Sequence, residues 1–225
     1  MIVYGLNPVL EALRAGRVRK LRVGPRSDRR VEDAIALARK AGVTIERTDA
    51  AALDRAARGG VHQGLAAEVE APLLVVLDSV EDPHNVGAIL RSLEASGGHG
   101  VVRQARHAAS LDGIVAKASA GAVARVRIAT VVNIARALDE LKEAGVWTVG
   151  LAADAPESYD EIDLTLASAI VLGAEGSGLR RLVRERCDRL AGIPMRGHAE
   201  SLNVSVAAGV MLFEAARQRR RKNGV

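Results

Sequence analysis

The chain has 225 residues, 48% of them hydrophobic and 26% charged, which is the composition of a globular protein long enough to bury a sizeable core. Its longest apolar stretches, 73–77 and 204–213, are far shorter than the roughly 20 residues that a membrane helix needs. No export signal follows Met1, and the single Cys187 excludes an internal disulfide, so we expect a cytoplasmic protein without a membrane span.

Positive charge is concentrated at the two ends of the chain. Residues 1–67 hold 13 Lys/Arg against 7 Asp/Glu, whereas 68–216 hold 14 against 20, and 217–222 add five positive charges. A basic first part is typical of a polyanion-binding domain, although an arginine-rich solvated surface would give the same count. Aromatic residues are only 2% of the chain, which disfavours a platform that stacks nucleic-acid bases.

The first 67 residues alternate between helical and strand patterns. GLNPVLEALRAG is typical of a helix, with Asn7 predicted as its N-cap and Pro8 as its first residue. Further strands and helices are predicted at 18–24, 30–42, 43–47, 50–60 and 61–70. We therefore predict a small α/β domain over 1–67, a linker over 68–72 and a second domain over 73–225.

The second domain continues this alternation. Strands are predicted at 73–77, 99–103, 125–129, 146–151, 168–172 and 189–193. Helices are predicted near 86–96, 111–121, 131–144, 178–186 and 202–220. The pattern indicates an α/β fold with a mainly parallel sheet covered by helices on both faces. Ligands of such sheets bind beyond the carboxyl ends of the strands, where three stretches carry unusual residues.

The first stretch, DSVEDPHNVGAILRS, covers 78–92 and places Asn85 and Arg91 on a helix that begins where a buried strand ends. Helical side chains lean toward the helix N-terminus, so Arg91 is predicted to point back over Gly87 toward Asn85. An arginine that only adds solubility would not need this glycine gap. The stretch therefore favours a positioned, functional Arg91.

The other two stretches follow later strands. AIVLGAEGSGL has the glycine order G-x-x-G-x-G, which is a poor dinucleotide fingerprint. Its Glu175 lies among glycines that let a ligand approach the backbone, although an acidic residue near a helix N-terminus has a simpler explanation. In IPMRGHAESLNVSVAAG, Ser201 is the predicted N-cap. Asn203 and Ser205 are indifferent helix formers, and a bound ligand is one candidate partner for them.

Several kinds of site lack their sequence signature. The five histidines show no metal-ligand spacing and there is no CxxC, so no metal site is predicted. Cys187 has no neighbouring histidine in the sequence, which favours a packed or surface thiol over a nucleophile. Neither a Walker loop nor a G-x-S-x-G elbow is present.

In this order, LDSVEDPHNVGAILRSLEASG, IVLGAEGSGL and IPMRGHAESLNVSVAAG resemble the three signature motifs of the SpoU ribose 2′-O-methyltransferases of the SPOUT superfamily. VYGLNPVLEAL, HQGL, KASAGA and LRRLVRERCD extend the resemblance over nearly the whole chain. They point to the branch that methylates a guanosine in the peptidyl-transferase loop of bacterial 23S ribosomal RNA. VVRQARHAAS departs from this pattern, since the family usually has a Pro and a Lys there.

The resemblance implies a fold and a reaction. It implies a trefoil knot where 173–178 and 193–209 pack, a homodimer with its active site at the subunit interface, an RNA-binding domain in 1–67, and S-adenosylmethionine as cofactor. It places five polar side chains around the reacting ribose oxygen: Asn85, Arg91, Glu175, Ser201 and Asn203. Arg91 is the base proposed for the family, although a guanidinium rarely gives up its proton and can instead stabilise an alkoxide. The cofactor would rest on Gly173, Ile193, Met195 and Leu202.

Three alternatives stay open at this point. The same chemistry could act on transfer RNA, or on ribosomal RNA as an antibiotic-resistance methylation. A non-catalytic RNA-binding or ribosome-assembly factor is the second alternative, against which all five motif polar residues are present. A dinucleotide-dependent oxidoreductase would bind a nicotinamide cofactor, and the glycine order disfavours it.

Overall fold

The computed structural model describes residues 1–25 and 28–222, which form two compact units, one ending at Ala71 and the other beginning at Pro72. The strands of the first unit are β1 (Ile2–Tyr4), β2 (Val18–Val23), β3 (Thr44–Arg47) and β4 (Leu65–Val69). Its helices are α1 (Leu6–Arg14), α2 (Arg29–Lys40) and α3 (Ala50–Ala56). The sheet order is β1-β4-β2-β3, in which β4 is antiparallel to both neighbours and β2 is parallel to β3.

The start of α1 differs from the sequence prediction. Its N-cap is Gly5, whose φ of 89° is a left-handed conformation that glycine adopts without strain, and Asn7 lies inside the helix. The Leu6 N–H donates to Gln63 Oε1 at 3.1 Å, which satisfies one of the helix donors that a capping side chain would otherwise take. The predictions of Asn7 as the N-cap and Pro8 as the first helical residue are therefore wrong, because α1 begins at Leu6 and its first N–H finds a partner in a distant part of the chain.

Strand β4 continues beyond the predicted first domain. It ends at Val69, so its last two residues fall in the range predicted as a linker, 68–72. Glu68 is paired with Ile2 on β1 and with Lys20 on β2. Residues 68 and 69 of the predicted linker are therefore part of strand β4.

The second unit is a parallel α/β sheet. Its strands are β5 (Leu73–Leu77), β6 (Gly100–Gln104), β7 (Arg127–Val131), β8 (Trp147–Leu151), β9 (Glu157–Ser158), β10 (Ser168–Leu172) and β11 (Arg189–Gly192). Its helices are α4 (Pro83–Ala95), α5 (Gly113–Ala118), α6 (Ile134–Glu143), α7 (Arg181–Arg186) and α8 (Val204–Lys222), with a 3-10 turn at Ala122–Ala124. The strand order is β7-β6-β5-β10-β8-β11-β9 and every pairing is parallel, which confirms the predicted fold class.

Both faces of the parallel sheet are covered. Val75 and Ile170 belong to a core cluster that also contains buried residues of α4, α5 and α8. Val76 and Val171 alternate with them, so they point to the opposite face, and both are fully buried there. The described part of the chain contains no helix with the length and apolar character required to cross a bilayer.

The glycine of the first stretch has a packing role. A Cβ on Gly87 would overlap the Cβ of Ala118 on α5 and lie 3.0 Å from the Ser119 nitrogen. Gly87 therefore allows α4 and α5 to approach closely. The argument that its gap exists for Arg91 is wrong, because the neighbouring helix fills the space.

Cys187 is packed between α7 and β8. Its Sγ donates a hydrogen bond to the Val183 carbonyl at 3.3 Å, and a Cβ added to Gly150 would lie 2.9 Å from the sulfur. Burial raises the pKa of the Cys187 thiol to about 12. The thiol is therefore held in its neutral, unreactive form at physiological pH.

We expect Cys187 to react slowly with a thiol reagent at pH 8 in the folded protein. With a pKa of about 12 instead of about 8.5, the side chain carries roughly 10³-fold less thiolate than in the unfolded chain. Ellman's reagent added to folded and to urea-unfolded protein measures the two rates. Equal rates in the two samples would contradict the packed environment of this cysteine.

Candidate functional site

The three candidate stretches begin at the same edge of the parallel sheet. The first follows β5 and the second follows β10, which are adjacent, with Leu77 and Leu172 in register at their carboxyl ends. The third follows β11, which is separated from β10 only by β8. Because carboxyl ends of parallel strands share an edge, the sheet brings the three stretches together.

Asn85 is fixed at the start of α4. Asp82 caps this helix by accepting a hydrogen bond from the His84 N–H at 3.0 Å, and Pro83 is its first residue. Asn85 is only 6% exposed, and its Nδ2 donates to Glu175 Oε1 at 2.9 Å. The buried amide of the first stretch is thus bonded to the carboxylate of the second.

Asn203 completes this cluster from the third stretch. Its Nδ2 donates to Asn85 Oδ1 at 3.0 Å and to Glu175 Oε1 at 2.6 Å. Its Oδ1 accepts from the N–H groups of Ser205 and Val206 at 2.9 and 3.3 Å, so Asn203 caps α8. Three of the five predicted catalytic residues therefore form one hydrogen-bonded unit, which we call the Asn–Glu–Asn cluster.

The capping role corrects two predictions about the third stretch. Ser201 was predicted as the N-cap, but it precedes the helix by three positions and is exposed. The hydroxyl of Ser205 donates to Asn203 Oδ1 at 2.6 Å, so these two residues satisfy each other without a ligand. Asparagine suits position 203 because its amide oxygen can cap the helix while its amide nitrogen donates to Asn85 and Glu175.

The loop that carries Glu175 is closed on itself by glycines. The Ala174 N–H donates to the Gly178 carbonyl at 3.1 Å, and the Gly178 N–H donates to the Ala174 carbonyl at 2.9 Å. A Cβ on Gly173 would overlap the Gly178 backbone, and Gly176 has a left-handed φ of 82°. The interpretation that these glycines admit a ligand is wrong for Gly173, because Gly178 occupies the space beside it.

A cavity of about 510 Å³ lies beside this loop, within the range of small-molecule sites. The four residues predicted to hold a cofactor all line it: Gly173, Ile193, Met195 and Leu202. Glu175, Ser201 and Asn203 line the same cavity. Segments 173–178 and 193–209 therefore meet here, and the trefoil knot implied for them stays a prediction.

The segment after β8 forms a further wall of the cavity that the sequence analysis does not predict. Residues 151–154 line the cavity together with Arg184 of α7. The Arg184 guanidinium donates two hydrogen bonds to Asp154, at 2.9 and 3.0 Å, and this lowers the pKa of the Asp154 carboxyl. The position of β8 between β10 and β11 makes its carboxyl end part of the site, but that strand order is not readable from the sequence.

Arg91 and Ser201 stand apart from the Asn–Glu–Asn cluster. Arg91 is exposed, and its guanidinium has neither a hydrogen bond nor an ion pair with any residue that the structure describes. It is also absent from the residues that line the cavity of its own chain. The side chain of exposed Ser201 likewise has no hydrogen bond within 1–25 and 28–222. Within those residues no group of three or more His, Cys, Asp or Glu is arranged to hold a metal ion.

Two family models cover most of the chain. One, described as the SpoU rRNA methylase family, matches residues 72–213, where the cavity and the Asn–Glu–Asn cluster lie. The other, described as RNA 2′-O ribose methyltransferase substrate binding, matches residues 2–74. Together they account for both units of the structure.

Individual relatives agree with these models. An uncharacterized tRNA/rRNA methyltransferase of Mycolicibacterium gilvum is 44% identical over 97% of this chain and 77% of its own length. The structure of the SpoU methyltransferase AviRb from Streptomyces viridochromogenes, solved with AdoMet, superposes with a TM-score of 0.63 and 26% identity over 98% of this chain and 91% of that one. The TrmH/SpoU tRNA-modifying enzyme of A. aeolicus has a TM-score of 0.62 and 34% identity over 68% and 78% of the two chains. The chain therefore belongs to the SpoU methylase family.

Proposed function

We propose that this protein transfers a methyl group from S-adenosylmethionine to a ribose 2′-hydroxyl of RNA. The observation that carries the proposal is the Asn–Glu–Asn cluster, which joins one polar residue of each family motif at the edge of a cavity. Membership of the SpoU family and a neighbour solved with AdoMet support the same reaction.

The residues that line the cavity fit S-adenosylmethionine. Apolar side chains of Ile193, Met195 and Leu202 suit an adenosine, and the closed loop at Gly173 presents backbone groups to it. Met195 and Leu202 are each 36% exposed, so both offer apolar surface that a ligand can cover. When bound, the cofactor supplies a methyl group on a sulfonium centre, ready for direct transfer to oxygen.

The protein must position the ribose hydroxyl and help it to lose its proton. We assign the second task to Arg91. Its guanidinium keeps its own proton and is therefore a poor base, so it stabilises the developing alkoxide electrostatically while the hydroxyl proton passes to water. Asn85, Glu175 and Asn203 hold one another rigidly, so their remaining hydrogen-bonding capacity can orient the ribose. Ser201 also lines the cavity, and its hydroxyl has no hydrogen-bond partner among the described residues, so it is available to the ribose as the fifth polar group.

The substrate that we propose is a guanosine of the peptidyl-transferase loop of 23S ribosomal RNA, modified in the cytoplasm. Residues 1–67 would form a domain that binds the RNA through its net charge of +6. A short linker over 68–72 would connect it to a catalytic domain over 73–225. A family model for substrate binding covers 2–74, which supports this division. Transfer RNA is the alternative, because one solved neighbour with a TM-score of 0.61 concerns 2-OH methylation of C/U34 on tRNA.

The deciding experiment measures transfer of labelled methyl from S-adenosylmethionine to three acceptors: 23S ribosomal RNA, total transfer RNA and assembled large subunits. The labelled nucleotide is then mapped by mass spectrometry of nuclease fragments. Label at the 2′-oxygen of one 23S guanosine is the expected result. Label on transfer RNA would retain the chemistry and replace the substrate, whereas a protein that binds no S-adenosylmethionine in calorimetry would end the proposal.

We further propose that the active enzyme is a homodimer that pairs the exposed faces of α8. Val206 and Phe213 are 51% and 52% exposed and lie two helical turns apart, with Val210 between them. An apolar stripe of this kind is costly to leave in water and supports an interface between copies of the chain. A Cβ on Gly209 of α8 would lie 3.9 Å from the Oγ of Ser92, the residue after Arg91, so an interface along α8 would lie close to the unpaired Arg91.

Replacing Phe213 with glutamate is expected to give a monomer with greatly reduced methyl transfer. A charge buried at one end of the stripe would cost about 2 kcal/mol or more of association free energy. Multi-angle light scattering measures the mass, and Leu182→Glu, at a 55% exposed leucine of α7, is the matched control. A Phe213→Glu protein that remains dimeric would exclude this face as the interface.

A further inference from the structure

Asp78, the residue after β5, holds both ends of the loop that carries Glu175. Its backbone N–H donates to the Leu172 carbonyl at 2.8 Å, where the loop begins. Its carboxylate accepts from the Arg180 backbone N–H at 2.9 Å and from Arg180 Nε at 2.6 Å, where the loop ends. Asp78 is fully buried, so a single residue fixes the separation of the two loop ends.

The Arg180 guanidinium extends this connection to a third strand. Its Nη2 lies 2.5 Å from Asp78 Oδ1 and donates to Gln104 Oε1 at 2.9 Å. Gln104, at the end of β6, is 4% exposed, and its Nε2 donates to the His107 carbonyl at 3.0 Å and to Ser79 Oγ at 3.3 Å. The network therefore ties together the loops that follow three adjacent strands, β6, β5 and β10.

Stability alone does not require these groups. A buried carboxylate paired with arginine roughly repays its own desolvation, and apolar residues of similar volume commonly stabilise a core as well or better. The directional contacts of Arg180 with Asp78 and Gln104 instead specify one geometry for the loop ends. Glu175 lies between those ends and must meet two amides at 2.6 and 2.9 Å.

We propose that Asp78, Arg180 and Gln104 form a positioning network that sets Glu175 against Asn85 and Asn203. These residues do not line the cavity, and they act through the loop instead of through contact with substrate. The inference rests on the proposed methyl transfer for its catalytic consequence. Its structural part, the ordering of loop 173–178, is independent of that activity.

The test uses Arg180→Met, which keeps the aliphatic stem and removes the guanidinium of a side chain that is 52% exposed. Arg181→Met is the matched control, because the next residue is exposed and, among the residues that the structure describes, pairs with Glu185 in an i,i+4 bridge. Hydrogen exchange is measured for the amides of Ala174 and Gly178. We expect about tenfold faster exchange in Arg180→Met, partial rescue in Arg180→Lys, and no change in the control.

Kinetic measurements then distinguish a loss of Glu175 positioning from a general loss of protein stability. We expect kcat to fall about 30-fold in Arg180→Met at a temperature well below unfolding, with the KM for RNA changed less than threefold. A double-mutant cycle with Glu175→Gln should be non-multiplicative, since both changes act on one carboxylate. Unchanged loop exchange, or losses that multiply, would overturn the proposal. If the wild-type protein transfers no methyl group, the proposed function fails, and the exchange result alone decides the positioning claim.

Discussion

Replacing Gly173 with alanine is expected to weaken S-adenosylmethionine binding by about 100-fold, equivalent to roughly 2.7 kcal/mol. The added Cβ would overlap the carbonyl group of Gly178 and the nitrogen of Leu179. These are backbone atoms, so no side-chain rotation can relieve the clash and the loop itself must open. Opening the loop displaces a wall of the cavity and, with it, Glu175.

Calorimetry with S-adenosylmethionine alone checks this expectation without any RNA. Gly197→Ala is the matched control, because it makes the same change in the third stretch where the new Cβ meets nothing within 4 Å. Thermal unfolding of both variants measures how much of the effect is global. Binding by Gly173→Ala within threefold of wild type would contradict the close packing of this loop and its role as a cavity wall.

The central strands of the catalytic unit could be predicted from sequence almost to the residue. The predicted ranges 73–77 and 168–172 coincide with β5 and β10. These strands are buried on both faces, so they read as uninterrupted apolar runs with clear ends. Strand β9, at the sheet edge, has only two residues and left no pattern to detect.

Features that depend on distant partners could not be predicted in the same way. The first N–H of α1 donates to Gln63, and the space beside Gly87 is filled by Ala118. Neither contact is visible in the local sequence. At α8 the sequence predicts Ser201 as the N-cap, but Asn203 serves instead, and its amide nitrogen has two acceptors within reach. Local propensity ranks serine and asparagine about equally, so only tertiary contacts decide between them.

The residues of the candidate site could be predicted from the sequence, but their arrangement could not. The family resemblance supplied the residues, and the structure brings Asn85, Glu175 and Asn203 within hydrogen-bond distance of one another. Periodicity could place each of them at a strand end, but the strand order that makes β5 and β10 neighbours comes from long-range pairing. Arg91 differs from the other three, because its environment within one chain is solvent.

Replacing Arg91 with alanine is expected to lower kcat for methyl transfer by about 10² to 10³-fold, the usual effect of removing a group that stabilises developing negative charge. S-adenosylmethionine affinity should change less than about twofold, because Arg91 does not line the cavity. Unfolding stability should stay within about 0.5 kcal/mol of wild type, since the side chain is exposed and has no partner among the described residues.

Two further variants make this result interpretable. Arg136→Ala removes an arginine of α6 that is 80% exposed and bridges Glu140, so it controls for the loss of one positive charge toward RNA. Arg91→Lys keeps the charge but loses the planar fork, and partial activity there would show that the positive charge itself contributes. A kcat for Arg91→Ala within threefold of wild type would remove Arg91 from the mechanism. An equal loss in Arg136→Ala would mean that the charge serves RNA binding, and that the reacting oxygen is stabilised by another group.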